Sequence, residues 1–154
     1  MLEAIFAPQS IAVVGASPDE QKLGHRVLKN IVENGYAGTI YPIHPTADSV
    51  LGHKAYPSVS DLPSTPDLAV MVIPPKFVLQ VTEECGERGV KGLIVITAGF
   101  KEIGPEGLQR EEQLQAIVRR YGMRMVGPNC LGVIDTVSRL NASFAALMPL
   151  PGNI

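Results

Sequence analysis

The chain predicts an α/β fold in which a doubly wound parallel sheet carries helices on both faces. Three observations carry that expectation. A β-branched run, Ile11, Val13 and Val14, ends abruptly at Gly15, and small residues then lead towards a helix. Two later runs, 68–73 and 93–96, are apolar at every position, so helices must cover the sheet on both sides. Between strands one pattern recurs: an apolar stripe at helical spacing, a glycine, a short connection and a new strand.

The elements follow in order. After the first strand, Val27, Leu28, Ile31 and Val32 form a helical stripe that precedes Gly35 and a strand over 39–43. Residues 45–66 are rich in Ser, Pro and Asp, with one short candidate strand over 53–56. They read as an irregular excursion over the strand ends, where ligands bind in such sheets. Beyond the strand at 68–73, Val78, Val81, Thr82 and Cys85 form a second stripe, followed by Gly89 and a strand over 93–97. Leu114, Ile117, Val118 and Tyr121 form the third, followed by Gly122 and a short strand over 124–126. Each glycine stands where a helix takes a left-handed C-terminal cap. This is a Rossmann-like arrangement. It spans 1–148 as one domain, and 149–154 (Pro-Leu-Pro-Gly-Asn-Ile) read as the start of a linker.

Composition excludes several classes of function. With 154 residues, 45% apolar and 18% charged, the chain is long enough to bury a core of its own. The net charge is −2 and no basic run interleaves with aromatics, which argues against nucleic acid as a partner. Cys85 and Cys130 lack metal-ligand spacing and point to free thiols in a reducing cytoplasm. Glu3 stands where an export signal would be basic. The longest apolar run, around 68–75, is too short to span a membrane.

The candidate chemistry lies in the loops that follow the strands. Gly15 opens a turn that can approach an anion closely, but the segment 15–24 is not the dinucleotide fingerprint G-x-G-x-x-G. The second strand ends Tyr41-Pro-Ile-His-Pro45, with no carboxylate before Asp48 to hold a ribose, which argues against NAD. Ile73-Pro74-Pro75 has two readings: simple helix initiation, or a flat apolar wall for an adenine. Ile96-Thr97-Ala98-Gly99 ends a strand in small residues and leaves room for a ligand against bare backbone. Asn129 can serve the turn or a substrate. Cys130 has no His, Lys or Arg within three residues to activate it. His25, on a helix, and His44, at a strand end, are not spaced as a zinc pair, either with each other or with His53.

Four segments in order, 6–17, 73–75, 96–100 and 127–132, together resemble the N-terminal CoA-binding domain of the NDP-forming acyl-CoA synthetases. That family includes ADP-forming acetate–CoA ligase and, more distantly, the α subunit of succinyl-CoA synthetase. The resemblance implies that Gly15, Ala16 and Ser17 meet the phosphates of coenzyme A. It implies that Ile73, Pro74 and Pro75 flank the adenine or ribose, and that Ile96, Thr97 and Ala98 line the pantetheine arm. Asn129 and Cys130 would then lie near the thiol. Relatives commonly have a basic residue just after the proline that ends the second strand, able to meet a CoA phosphate, whereas here Pro45 is followed by Thr46 and Ala47. That leaves His44, Lys22 or Lys54 to take its role, or a lower affinity.

The same resemblance makes the chain part of a longer protein in which ATP or ADP, Mg and the phosphorylated histidine belong to absent domains or a partner subunit. The isolated domain would then hold CoA and not be a ligase by itself. A regulatory CoA sensor, alone or fused to a protein acetyltransferase, is the alternative. Gly15→Val is expected to abolish CoA binding while leaving the fold largely intact. Cys130 is expected to pack in its turn without carrying an acyl group.

Overall fold

A computed structural model describes residues 2–152. A short helix α1 (Glu3–Phe6) leads into β1 (Ser10–Val14), α2 (Leu23–Glu33) and β2 (Thr39–Ile43). A small hairpin, β3 (Ser49–Val50) and β4 (His53–Lys54), precedes β5 (Leu68–Met71), α3 (Pro75–Arg88) and β6 (Gly92–Val95). A 3₁₀ turn (Lys101–Ile103), α4 (Pro105–Arg120), β7 (Arg124–Val126) and the strands β8 (Gly132–Asp135) and β9 (Leu140–Ser143) complete the order.

The main sheet runs β2-β1-β5-β6-β7 with every neighbouring pair parallel. The residues decide this because each central strand is apolar on both faces. Ile11, Val13, Leu68, Val70, Ile94 and Ile96 enter one core, and Ala12, Val14, Ala69, Met71, Leu93 and Val95 enter the other. Val27, Leu28 and Ile31 of α2 cover the first core, and Val78, Cys85, Leu114 and Ile117 of α3 and α4 cover the second. The three predicted capping glycines take positive φ: 80° at Gly35, 88° at Gly89 and 65° at Gly122.

Two elements escape the sequence pattern. The antiparallel pair β8–β9 packs beside α2 where a second helix would otherwise lie, and Val133, Leu140 and Ala142 join its core. Its strands are short and mostly small or polar, and α2 rather than local propensity buries them. Helix α1 is a single turn whose only buried residue is Ile5. The predicted strand over 53–56 survives as β4, and Tyr56 makes an isolated parallel bridge to Ile43. β5 and β6 end two residues earlier than expected, at Met71 and Val95. Residues 149–152 carry no regular structure, and the last two residues of the expected linker, Asn153 and Ile154, lie outside the described residues.

The chain leaves β1 for β2 on one side and returns to β5 on the other, which puts the topological switch point between the ends of β1 and β5. Helix α2 closes on that point. A Cβ built on Gly24 would lie 1.9 Å from the Gly15 carbonyl oxygen. Gly24→Ala should therefore cost about 1–3 kcal/mol through overpacking against backbone, lowering Tm by several degrees. Thermal melting by circular dichroism checks this. Gly152→Ala, which meets nothing within 4 Å, is the control and should leave Tm unchanged.

A candidate ligand-binding cleft at the switch point

Gly15 turns the chain at φ +91°, and its amide donates to the Ile43 carbonyl at 3.1 Å. A Cβ there would sit 2.1 Å from the Val72 carbonyl oxygen and 2.9 Å from Ile73 Cγ2. The end of β1 thus rests directly on the end of β5. The expectation that Gly15→Val would spare the fold is corrected by this contact, because the clash is with backbone and cannot relax cheaply.

Beyond the turn, Ala16 and Ser17 are buried. The Ser17 hydroxyl accepts the Asp19 amide at 3.1 Å, and the Ser17 carbonyl contacts Nδ1 of His25, also buried, at 2.8 Å. This loop delivers Lys22 in extended conformation to the start of α2. The amides of His25 and Arg26 both donate to the Lys22 carbonyl. The Leu23 and Gly24 amides precede these first-turn bonds, so the helix end faces the cleft with unpaired donors.

Thr97 ties three strand ends together. Its hydroxyl donates to the Ile73 carbonyl at 2.8 Å and accepts the Ile73 amide at 3.3 Å, while its own carbonyl accepts the Asn129 amide at 3.0 Å. Ile73 leads into Pro74, the N-cap of α3, and Pro75, its first residue, so the two prolines cost no helical hydrogen bond. The loop after β6 is held from outside by Glu102, whose carboxylate accepts the amides of Gly99 at 2.5 Å and Phe100 at 3.1 Å. Those donors hold the Glu102 carboxyl below its ordinary range. Arg110 donates to the Gly99 carbonyl.

Asn129 stands at φ 53° after a cis Gly127–Pro128 bond. Cys130 donates its thiol to the Val95 carbonyl at 3.4 Å. Burial raises the Cys130 thiol above its ordinary pKa, with the Gly132 and Cys130 amides pulling weakly the other way. On the far wall, the Asn30 amide donates to the carbonyls of Ser143 and Ala145, both at 2.8 Å. The residue between them, Phe144, lines the cleft.

The result is a cleft of about 670 Å³ that brings together Gly15, Lys22, Ile73, Pro74, Pro75, Ile96, Thr97, Ala98, Asn129 and Cys130. Three of the predicted residues stand apart from its lining. Ala16 and Ser17 are buried under the turn, and His44 uses Nδ1 to accept the amides of Thr46 at 3.2 Å and Ala47 at 3.0 Å. Sequence reasoning missed Leu23, Gly24, Val72, Leu131 and Phe144. Gly24 carried a signal, a glycine opening a helix after a strand-to-helix turn. Phe144 carried none, because the hairpin that places it was not legible.

A second groove of about 410 Å³ shares Gly15 and Ile73 with the first. Ile43, Pro45, Pro57, Val59 and Phe77 give it apolar walls, and among the described residues Glu84 is its only charged one. The two hollows meet where β1 and β5 touch. Among the described residues no cluster of His, Cys, Asp and Glu could hold a metal, and no helix is long and apolar enough to cross a membrane.

Two measurements test this geometry. Thr97→Val strips Ile73 of both hydroxyl bonds and should cost about 1–3 kcal/mol. Thr97→Ser should recover most of that in chemical denaturation. Burial pushes the Cys85 thiol up to about 12 and raises that of Cys130, so both stay protonated near neutral pH. Iodoacetamide at pH 8 should alkylate Cys85 in the native chain at least about tenfold more slowly than in the denatured chain, and Cys130 more slowly as well. Equal rates would contradict the burial.

Comparison with known proteins places this architecture. Residues 9–136 match the family model described as a CoA binding domain. The chain is 50% identical over 144 residues to the alpha subunit of ADP-forming acetate–CoA ligase II of Pyrococcus furiosus, covering 94% of this chain and 31% of that subunit. It is 49% identical over 152 residues to the ADP-forming 4-hydroxybutyrate–CoA ligase of Nitrosopumilus maritimus, covering 97% of this chain and 22% of the relative. Among solved structures, the apo form of the dinucleotide-forming acetyl-coenzyme A synthetase 1 of Ca. Korarchaeum cryptofilum superposes with a TM-score of 0.95 at 47% identity. That match covers 99% of this chain and 33% of the other. The chain thus spans about a third or less of the length of these relatives. A parallel sheet with its cleft at the switch point, matched by the family model over most of its length, means that the chain belongs to the CoA-binding domain family, in the form found in ADP-forming acyl-CoA synthetases.

Proposed function

We propose that the chain binds coenzyme A across the two hollows and serves as the CoA-holding part of an ADP-forming acyl-CoA synthetase. The observation that carries this reading is the meeting of cleft and groove at Gly15 and Ile73, beside the start of α2. Coenzyme A has two arms joined by a diphosphate. Lys22 and the free amides of α2 stand at the junction and suit the diphosphate, with the turn of Gly15, Ala16 and Ser17 beneath it. The apolar groove by Phe77 suits adenosine, with Ile73, Pro74 and Pro75 as the ridge between the arms.

The longer cleft suits the pantetheine arm along Ile96, Thr97 and Ala98, with its thiol towards Asn129 and Cys130. Leu131 and Phe144 make that end apolar, and among the described residues it has no cation to stabilise a thiolate and no imidazole to take a thiol proton. The domain therefore orients the thiol, and the acyl phosphate it attacks is formed in other domains or a partner subunit that handle ATP or ADP with Mg. The setting is the cytoplasm. His44 belongs to the loop bordering the groove and shapes it through Thr46 and Ala47 rather than by touching phosphate.

Calorimetric titration with CoA and with NAD tests the reading. CoA should bind at least about tenfold more tightly, with an affinity that falls as salt rises. Lys22→Ala should weaken CoA and leave the melting temperature unchanged. Tighter binding of NAD would refute the assignment.

A further inference from the structure

Coenzyme A carries two separate anionic groups, the central diphosphate and a phosphate on the 3′ carbon of its ribose. Among the described residues, the two hollows together present one cation, Lys22, and one carboxylate, Glu84. Lys22 stands with the α2 amides at the Gly15 junction, so the positive potential is concentrated at a single point. On the adenosine side the lining is mostly apolar, with Ser58 and Gln80 as uncharged polar residues and Glu84 as the one charged side chain among the described residues; the Ser58 hydroxyl donates to Asp61 at 2.6 Å. Glu84 is fixed there by accepting the Ser60 amide at 2.8 Å.

The loop after β2, where a cation could stand over the ribose, is closed on itself. The amides of Thr46 and Ala47 are both spent on Nδ1 of His44. Two lysines flank the region without lining either hollow, and each ammonium lies over a ring. Lys54 is 5.2 Å from the centroid of Tyr56, and Lys76 is 4.9 Å from that of Phe77. Both lysines are exposed, and a phosphate that meets only solvent-exposed ammonium groups gains little.

We propose that the site recognises the diphosphate and the pantetheine arm and leaves the 3′-phosphate in solvent, so that 3′-dephospho-CoA is an equivalent ligand. The inference rests on the CoA reading above. Titration of the 154-residue chain with CoA and with 3′-dephospho-CoA at physiological salt tests it. The two dissociation constants should agree within about tenfold, about 1.4 kcal/mol. A dedicated charge-assisted hydrogen bond would exceed that difference. Lys22→Ala should weaken both ligands to the same extent.

A preference for CoA greater than about tenfold overturns the proposal. If that preference disappeared in Lys54→Ala or Lys76→Ala, it would identify the lysine that reads the phosphate. Selective loss of CoA binding in Lys22→Ala would also overturn it, by placing the 3′-phosphate on Lys22. Failure of a folded chain to bind either ligand is a different outcome, which removes the CoA reading and this inference together.

Discussion

The contact of Gly15 with the Val72 carbonyl is the constraint on which the rest of the site depends. It lets the ends of β1 and β5 meet with no side chain between them, and Gly24 lets α2 close onto the same point. Any Cβ at either position would push backbone against backbone. With both glycines in place, the helix N-terminus and the two strand ends converge at one spot. That spot is where the two hollows join.

Around this junction the walls are set by bonds between loops more than by interdigitated side chains. Thr97 holds Ile73 through both of its peptide groups and Asn129 through its own carbonyl. Three loops from three strands are thereby tied together. Glu102 and Arg110 secure the β6 loop from the solvent side, and Asn30 grips the chain on both sides of Phe144. A cleft held this way loses little conformational entropy when a flexible ligand settles into it.

The division of labour follows from polarity. Among the described lining residues, positive charge sits on Lys22 beside the start of α2, and the rest are apolar or uncharged apart from Glu84. The Cys130 thiol, with its pKa raised by burial, donates to the Val95 carbonyl.

The sequence by itself determined the parallel sheet, because strands apolar at every position can exist only under helices on both sides, and the glycines after each stripe mark where those helices stop. It also located most of the cleft, since residues at the carboxyl ends of parallel strands share one edge of the sheet wherever they fall in the chain. Tertiary structure decided what depends on contact. Gly24 acts through a carbonyl nine residues away, and Thr97 acts through Ile73 in the loop after another strand. His44 turns its ring nitrogen to its own loop. The β8–β9 hairpin, with short strands and small or polar residues, is stable only against α2, so neither it nor Phe144 had a local signal. Periodicity records which face of an element is buried, but not which neighbour buries it.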